Sequence, residues 1–322
     1  MKNRLYPLTA ILFALGAFLL LILYPQWAAE GAKAGLSVCG GIILPSLFPF
    51  MVLGNLMSEI GLPSAVGRFL SPLTRRFFGV SGVGASAFFM GITGGYPLGA
   101  ITVARLYTSG QIGRTEASRL LRFCDNTGPA FIVSVAGSLI FKSTAAGFFL
   151  YGIHVFSALL AGLIQRGPAA PPTLTPAPCK SSDFFTAFTE SVKSAAFTCV
   201  SVCGFVVFFS ALTGLLDSVG ILSSLAGKMS HGLGTELHFS RSLLTGLLEL
   251  GSGMGSLQGL SLNSANLALC AFILGWGGIS VRCQAASAIK ESGLPVAANL
   301  FGKLFHGLLS ALLCVLFYPL FF

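Results

Sequence analysis

Residues 81–107 read SGVGASAFFMGITGGYPLGAITVARLY, an apolar stretch cut at its middle by Gly94-Gly95-Tyr96-Pro97. Each side of the cut holds roughly a dozen residues, short of the ~20 that a spanning helix needs. Proline lacks the N–H that would continue a helix, and glycine resists it least where the chain must turn. In lipid, the backbone groups freed by such a cut find no water. The cut therefore survives only where protein or a wet cavity receives it. The stretch predicts a re-entrant helical hairpin with its tip, Gly94 to Pro97, turned toward an interior site.

Working outward, the same reading applies three more times. Residues 116–141 break at Asp125-Asn126-Thr127-Gly128-Pro129, 239–262 at Glu249-Leu250-Gly251-Ser252-Gly253, and 263–290 at Gly275-Trp276-Gly277-Gly278. Residues 33–57 form a span interrupted by Pro45 and Pro49; 144–164, 184–216 and 296–322 are plainer spans. In 63–78, Val66, Phe69, Leu70, Leu73 and Phe77 recur at helical spacing with Arg68, Arg75 and Arg76 off the stripe, the pattern of an interfacial amphipathic helix. Residues 220–234 repeat it in weaker form. Lys2 and Arg4 precede an apolar run from Leu5 to Leu23, close to full spanning length, which reads as a retained first helix rather than a signal peptide. Residues 167–183 carry five prolines and little apolar content, as a linker does.

The chain thus divides into an N-terminal transmembrane helix (1–30), a first repeat (31–166), the linker (167–183) and a second repeat (184–322). Ser37-Val38-Cys39-Gly40 recurs as Ser201-Val202-Cys203-Gly204. More telling is the shared order of span, amphipathic helix, broken hairpin, broken span and final span. The expected fold is an all-α polytopic membrane protein of two inverted repeats with re-entrant hairpins and broken helices.

Composition agrees. Of 322 residues, 54% are apolar and 9% charged, against about 25% charged in a soluble domain. Mean hydropathy is +0.85. The solvent for most of the chain is the lipid bilayer. The formal net charge of +9 would raise nucleic-acid binding in a soluble protein, but no basic cluster here is interleaved with aromatics. Arg68, Arg75, Arg76, Arg105, Arg114, Arg119 and Arg122 instead flank the first hairpin, whereas the second has Lys228 and Arg241. The positive-inside rule then places the first hairpin on the cytoplasmic side and the second opposite. The eight cysteines form no C-x-x-C pair and the four histidines are scattered, which argues against a metal site. No enzyme motif is present.

Four matched breaks point to one central substrate site, as in transporters built from inverted repeats. Its candidate residues are Gly94, Gly95, Tyr96, Pro97, Asn126, Thr127, Gly128, Gly251, Ser252, Gly277, Gly278, Arg282 and Gln284. Asn126 offers both donors and acceptors, and half-helix N-termini favour an anionic group. Asp125 either caps the restarting half-helix or takes part in coupling. Glu249 is the single formal charge between Arg241 and Arg282; it either binds a coupling ion (H+ or Na+) or forms a salt bridge to an arginine elsewhere. Arg282 either pairs with a carboxylate or snorkels to the interface. No other cofactor is expected, and a homo-oligomer remains open.

Leu44-Pro45-Ser46-Leu47-Phe48-Pro49-Phe50, Gly91-Ile92-Thr93-Gly94-Gly95-Tyr96-Pro97-Leu98-Gly99-Ala100, Phe123-Cys124-Asp125-Asn126-Thr127-Gly128-Pro129-Ala130-Phe131 and Phe272-Ile273-Leu274-Gly275-Trp276-Gly277-Gly278-Ile279-Ser280 together resemble the nucleoside-recognition (Gate) domain family. Within it the likeness is to sporulation integral membrane proteins. The resemblance covers the chain from about Lys33 onward. It implies a fold related to concentrative nucleoside transporters and a role in moving dipicolinate, a pyridine dicarboxylate, across the outer forespore membrane. Nucleoside uptake is the alternative within transport, and a non-transporting scaffold of a sporulation complex the alternative outside it.

Overall fold

A computed structural model describes residues 2–168 and 183–322; most of the linker lies outside the described residues. All regular structure among these is helical. In chain order the α-helices are α1 (Lys2–Leu23), α2 (Pro25–Val38), α3 (Leu44–Glu59), α4 (Leu62–Phe78), α5 (Gly82–Gly94), α6 (Leu98–Thr108), α7 (Arg114–Leu120), α8 (Thr144–Ile164), α9 (Phe184–Ser218), α10 (Ile221–Leu233), α11 (Leu237–Leu248), α12 (Leu250–Ser256), α13 (Ser264–Trp276), α14 (Gly278–Glu291) and α15 (Val296–Phe317). Five helices are long and apolar enough to cross a membrane, or six if the bent pair α4–α5 counts as one. Large apolar side chains such as Phe185, Phe197 and Phe301 stand exposed on their outer faces, as lipid-facing residues do.

The interruption expected at Pro45 and Pro49 is gentler than a kink. Helices α2 and α3 join through a π-wound turn, Cys39–Ile43, into one helix of 35 residues. A proline ring collides with the carbonyl four residues back, and the wide turn before Pro45 moves that carbonyl aside.

The repeat is visible in how elements begin and end. Helix α9 is also 35 residues long. Helices α4 and α10 each start after a left-handed glycine (Gly61, Gly220) and each stop at another (Gly79, Gly234). Where the two long helices cross, a Cβ on Gly31 would meet Ala211, one on Gly35 would meet Val207, and Cys39 Sγ approaches the Cys203 carbonyl at 3.8 Å. As the first number rises the second falls, so the helices run antiparallel. Cys39 and Cys203 are also the matched positions of the Ser-Val-Cys-Gly repeat. Equivalent helices that cross antiparallel at equivalent residues are what inverted repeats require.

Helix α4 turns by 94° into α5. It exposes Phe69, Leu73 and Phe77 while Gly67 packs against Gly82, consistent with a helix lying along the bilayer surface. Arms α5 and α6 form the first hairpin, α11 and α12 the second. Between α7 and the π-wound segment Ala130–Ile140, residues 121–128 are not helical, so this broken span opens four residues earlier than the break expected at Asp125 to Pro129, and Pro129 already belongs to the restarting helix. The unwound chain lies against the first hairpin. A Cβ on Gly91 or Gly99 would stand 1.8 or 1.9 Å from the Cys124 carbonyl oxygen, so only glycine admits it. The other breaks are narrower: the second hairpin turns at Glu249 and the second broken span at Gly277.

Candidate functional site

Each hairpin tip docks on the broken span of its own repeat. Gly95 (φ +81°) meets Gly128, and Gly278 (φ +78°) meets Glu249 and Leu250. The halves are then joined by hydrogen bonds that answer the broken backbone. The α13 carbonyls released at the second break are those of Leu274 and Gly275. Tyr96 Oη donates to both, at 3.2 and 3.1 Å, and Thr127 Oγ1 donates to Leu274 at 2.8 Å. Within each repeat the same holds: Trp276 Nε1 donates to the Leu247 carbonyl of the second hairpin at 3.1 Å, and Tyr151 Oη to Ile92 of the first at 3.1 Å. Carbonyls stranded away from water thus find donors from other elements.

These contacts enclose a cavity of about 40 Å³ lined by both tips: Tyr96, Thr127 and Gly128 from the first repeat, Glu249, Leu250, Gly251 and Gln284 from the second. Its remaining wall is apolar and includes Phe131 and Val206. That is room for about one water molecule and not for a larger ligand. A vestibule of about 780 Å³ opens beside it between α6, α9 and α14. Val202 and Gln284 line both spaces and divide them. Pro97 of the first hairpin's tip and Arg105, one of the arginines flanking that hairpin, both line the vestibule.

Of the other candidates, several lie behind the cavity wall. Gly94 is buried under Leu98. Gly277 (φ +82°) sits where a Cβ would press on the Tyr96 ring and Arg282. Ser252 Oγ meets Ser210 Oγ at 3.2 Å. Glu249 makes neither an arginine salt bridge nor a free charge. Its carboxylate caps α12, accepting from Gly251 N (2.9 Å) and Ser252 N (2.6 Å). This helix N-terminus, expected to serve an anion, is already committed to the protein's own carboxylate.

Asp125 does not cap the following half-helix. Its Oδ2 accepts from Arg282 Nη1 at 3.2 Å and from Asn299 Nδ2 at 3.3 Å, while Oδ1 has no partner. Arg282 does not snorkel: it is 6% exposed, donates also to Asn299 Oδ1, and lies over the Tyr96 ring, 5.0 Å from its centroid. Its Nε and Nη2 are buried without partners. Asn126 donates to Phe123 O (2.8 Å) and accepts from Lys303 Nζ (3.2 Å).

Lys303 belongs to a cluster that the reading of sequence passed over. Lys303, His306 and Ser310 on α15 and His154 and Ser157 on α8 are all buried. His154 and His306, scattered in sequence, stack with ring centroids 4.6 Å apart. The signal was present: a lysine and two histidines inside apolar spans, each a functional suggestion in its own right. Among the described residues no group of three or more His, Cys, Asp or Glu could hold a metal.

Residues 42–164 match the family model for nucleoside recognition, Gate. The chain is 30% identical to the sporulation integral membrane protein YlbJ of Bacillus subtilis (strain 168), over 92% of this chain and 78% of that one. Its architecture is similar to that of CNTnw variants in an intermediate state (TM-score 0.59, 13% identity, 98% of this chain and 85% of that one) and an outward-facing state (0.55, 12%, 99% and 85%). CNTnw in an inward-facing substrate-bound state is similar too (0.53, 13%, 98% and 86%). The fold is thus that of a polytopic helical membrane protein, similar in architecture to the concentrative nucleoside transporters. The chain belongs to the nucleoside-recognition (Gate) family, as a relative of the sporulation protein YlbJ.

Proposed function

We propose that this protein is a secondary transporter of a small aromatic anion, dipicolinate, across the outer forespore membrane. The observation that carries the reading is the charge behind the Tyr96 wall. Two buried basic side chains, Arg282 and Lys303, flank the ring at 5.0 and 5.4 Å, and the carboxylate hydrogen-bonded to this pair of groups is Asp125, on Arg282. Arg282 retains two donor atoms without partners. A carboxylate entering the widened cavity would find bidentate capacity there, and the apolar wall suits an aromatic ring. The relation to a sporulation protein supports the cargo and the membrane. A scaffold would have no use for helix breaks from both repeats meeting at one cavity.

One feature favours the second reading, nucleoside uptake. Glu249 and Gln284 line the cavity and offer acceptors to neutral hydroxyl or amide donors. Uptake into proteoliposomes of labelled dipicolinate, with uridine as the competing cargo, separates the two. Dipicolinate should be concentrated and should resist competition by uridine. Uptake of uridine alone would replace the first reading with the second, and uptake of neither would remove both.

A further inference from the structure

Lys303 and His306 stand one turn apart on α15, both wholly buried. Lys303 Nζ donates to Asn126 Oδ1, makes a short contact with His306 Nδ1 and lies over the face of Tyr96. Among the described residues no carboxylate forms an ion pair with Lys303. The tautomer of His306 follows from geometry. Its Nε2 faces the His154 carbonyl at 3.0 Å and Ser157 Oγ at 2.9 Å. A carbonyl can only accept, so Nε2 carries the hydrogen, and Nδ1 is left to accept from Lys303.

We propose that the Lys303–His306 dyad is the proton-coupling site of this transporter, holding one exchangeable proton that is loaded when the anion binds and lost when it leaves. With the proton present, it lies on Nζ or Nδ1 and the dyad carries one positive charge. Without it, Lys303 is a neutral amine that can still donate both to Nδ1 and to Asn126. The dyad can therefore change charge by one without breaking its hydrogen bonds. An anion across the Tyr96 ring favours the charged form by direct attraction in a site shielded from water.

The neighbouring groups leave this role to the dyad. Asp125, Asn126 and Cys124 face it from the unwound segment, and Asp125 is paired with Arg282 of α14. From α8, His154 Nε2 accepts from Thr127 N at 3.1 Å, which makes it a neutral acceptor. Tyr96 gives its hydroxyl to two carbonyls. Asn299 of α15 is held by Leu121 O and Asp125, and Arg122 packs its backbone on Gly302. Glu249, with Asp125 one of the two coupling candidates from sequence, has both carboxylate oxygens on its helix cap.

This inference rests on the transport reading, and the test distinguishes their failures. Purified full-length protein in weak buffer with a pH indicator is mixed with dipicolinate. About one proton should be taken up per anion bound. Because protonation favours the anion, affinity should fall as pH rises, by up to tenfold per unit where the dyad titrates. Lys303→Met should bind with no proton uptake and little pH dependence, whereas His306→Gln, which leaves Nζ as the proton's one site in the dyad, should move the pH at which affinity falls. The wild-type proton count decides the matter even if a variant fails to fold. Tight binding with no proton uptake, equal from pH 6 to 9, overturns the dyad while leaving the transporter intact. Absence of binding by dipicolinate removes the transport reading and the inference with it.

Discussion

Replacing Arg282 by glutamine tests both the architecture of the site and its chemistry. Asp125 is 0% exposed and Arg282 supplies its one cationic partner, at 3.2 Å. Glutamine is shorter and uncharged, so it cannot hold both Asp125 and Asn299. Stranding one member of a buried pair costs about 3–5 kcal/mol. Here Asn299 Nδ2 still donates to Asp125 at 3.3 Å, which favours the lower end, about 3 kcal/mol. In heat-step solubility measurements on purified protein, the midpoint of Arg282→Gln should drop by on the order of 10 °C. The double variant Asp125→Asn, Arg282→Gln removes the stranded charge and should recover most of that loss, since a neutral replacement of a buried pair is often close to neutral in energy. Dipicolinate affinity should not recover. It should stay at least about tenfold weaker than wild type, about 1.4 kcal/mol, in single and double variants alike. A single variant as heat-stable as wild type would show that the pair is not structural. Equal stability of single and double variants would show that the cost does not come from Asp125, and recovered affinity in the double would remove Arg282 as the anion's anchor.

Three further expectations concern topology, cap and path. Cysteines placed singly at Arg75 and Arg114, in a background without native cysteines, should be labelled from the cytoplasm and one at Lys228 from the other side; Arg75 and Lys228 on one side would contradict the inversion. Glu249→Gln retains one cap acceptor and loses the charge, so it should cost about 1 kcal/mol of stability and leave gradient-driven uptake in place if the proton resides on Lys303 and His306. Loss of coupling in a well-folded Gln variant would restore Glu249 to that role. Ser287→Cys lines the vestibule, and a bulky thiol reagent there should block uptake from the vestibule side; undiminished uptake after full labelling would show that cargo takes another route.

Much of the fold was legible because a bilayer constrains sequence through local terms. Hydropathy over about 20 residues marks spans, and glycine and proline mark where helices must stop. The hairpin tips at Gly94 to Pro97 and at Glu249 are local in this sense, as is the glycine bracketing of α4 and α10. The π-wound turn before Pro45 and the unwinding of 121–124 ahead of the expected break were less legible. Both depend on what the freed backbone finds to bond, and Cys124 lies where it does because Gly91 and Gly99, on the two arms of the first hairpin, leave room.

The site divides along the same line. From sequence alone came the membrane class, the two repeats, and the candidacy of Tyr96, Thr127, Gly128, Gly251 and Gln284, which the structure gathers around one cavity. Only the tertiary structure decided what each charge does: that Arg282 takes Asp125, 157 positions away, that Glu249 spends its carboxylate on its own helix, and that Lys303 meets Asn126, 177 positions away. Periodicity and hydropathy report whether a residue faces lipid or protein. They carry no information about which of several buried partners it meets, because that choice is made by helices packing across the whole chain. In a medium without water, that choice determines the charge each group can bear.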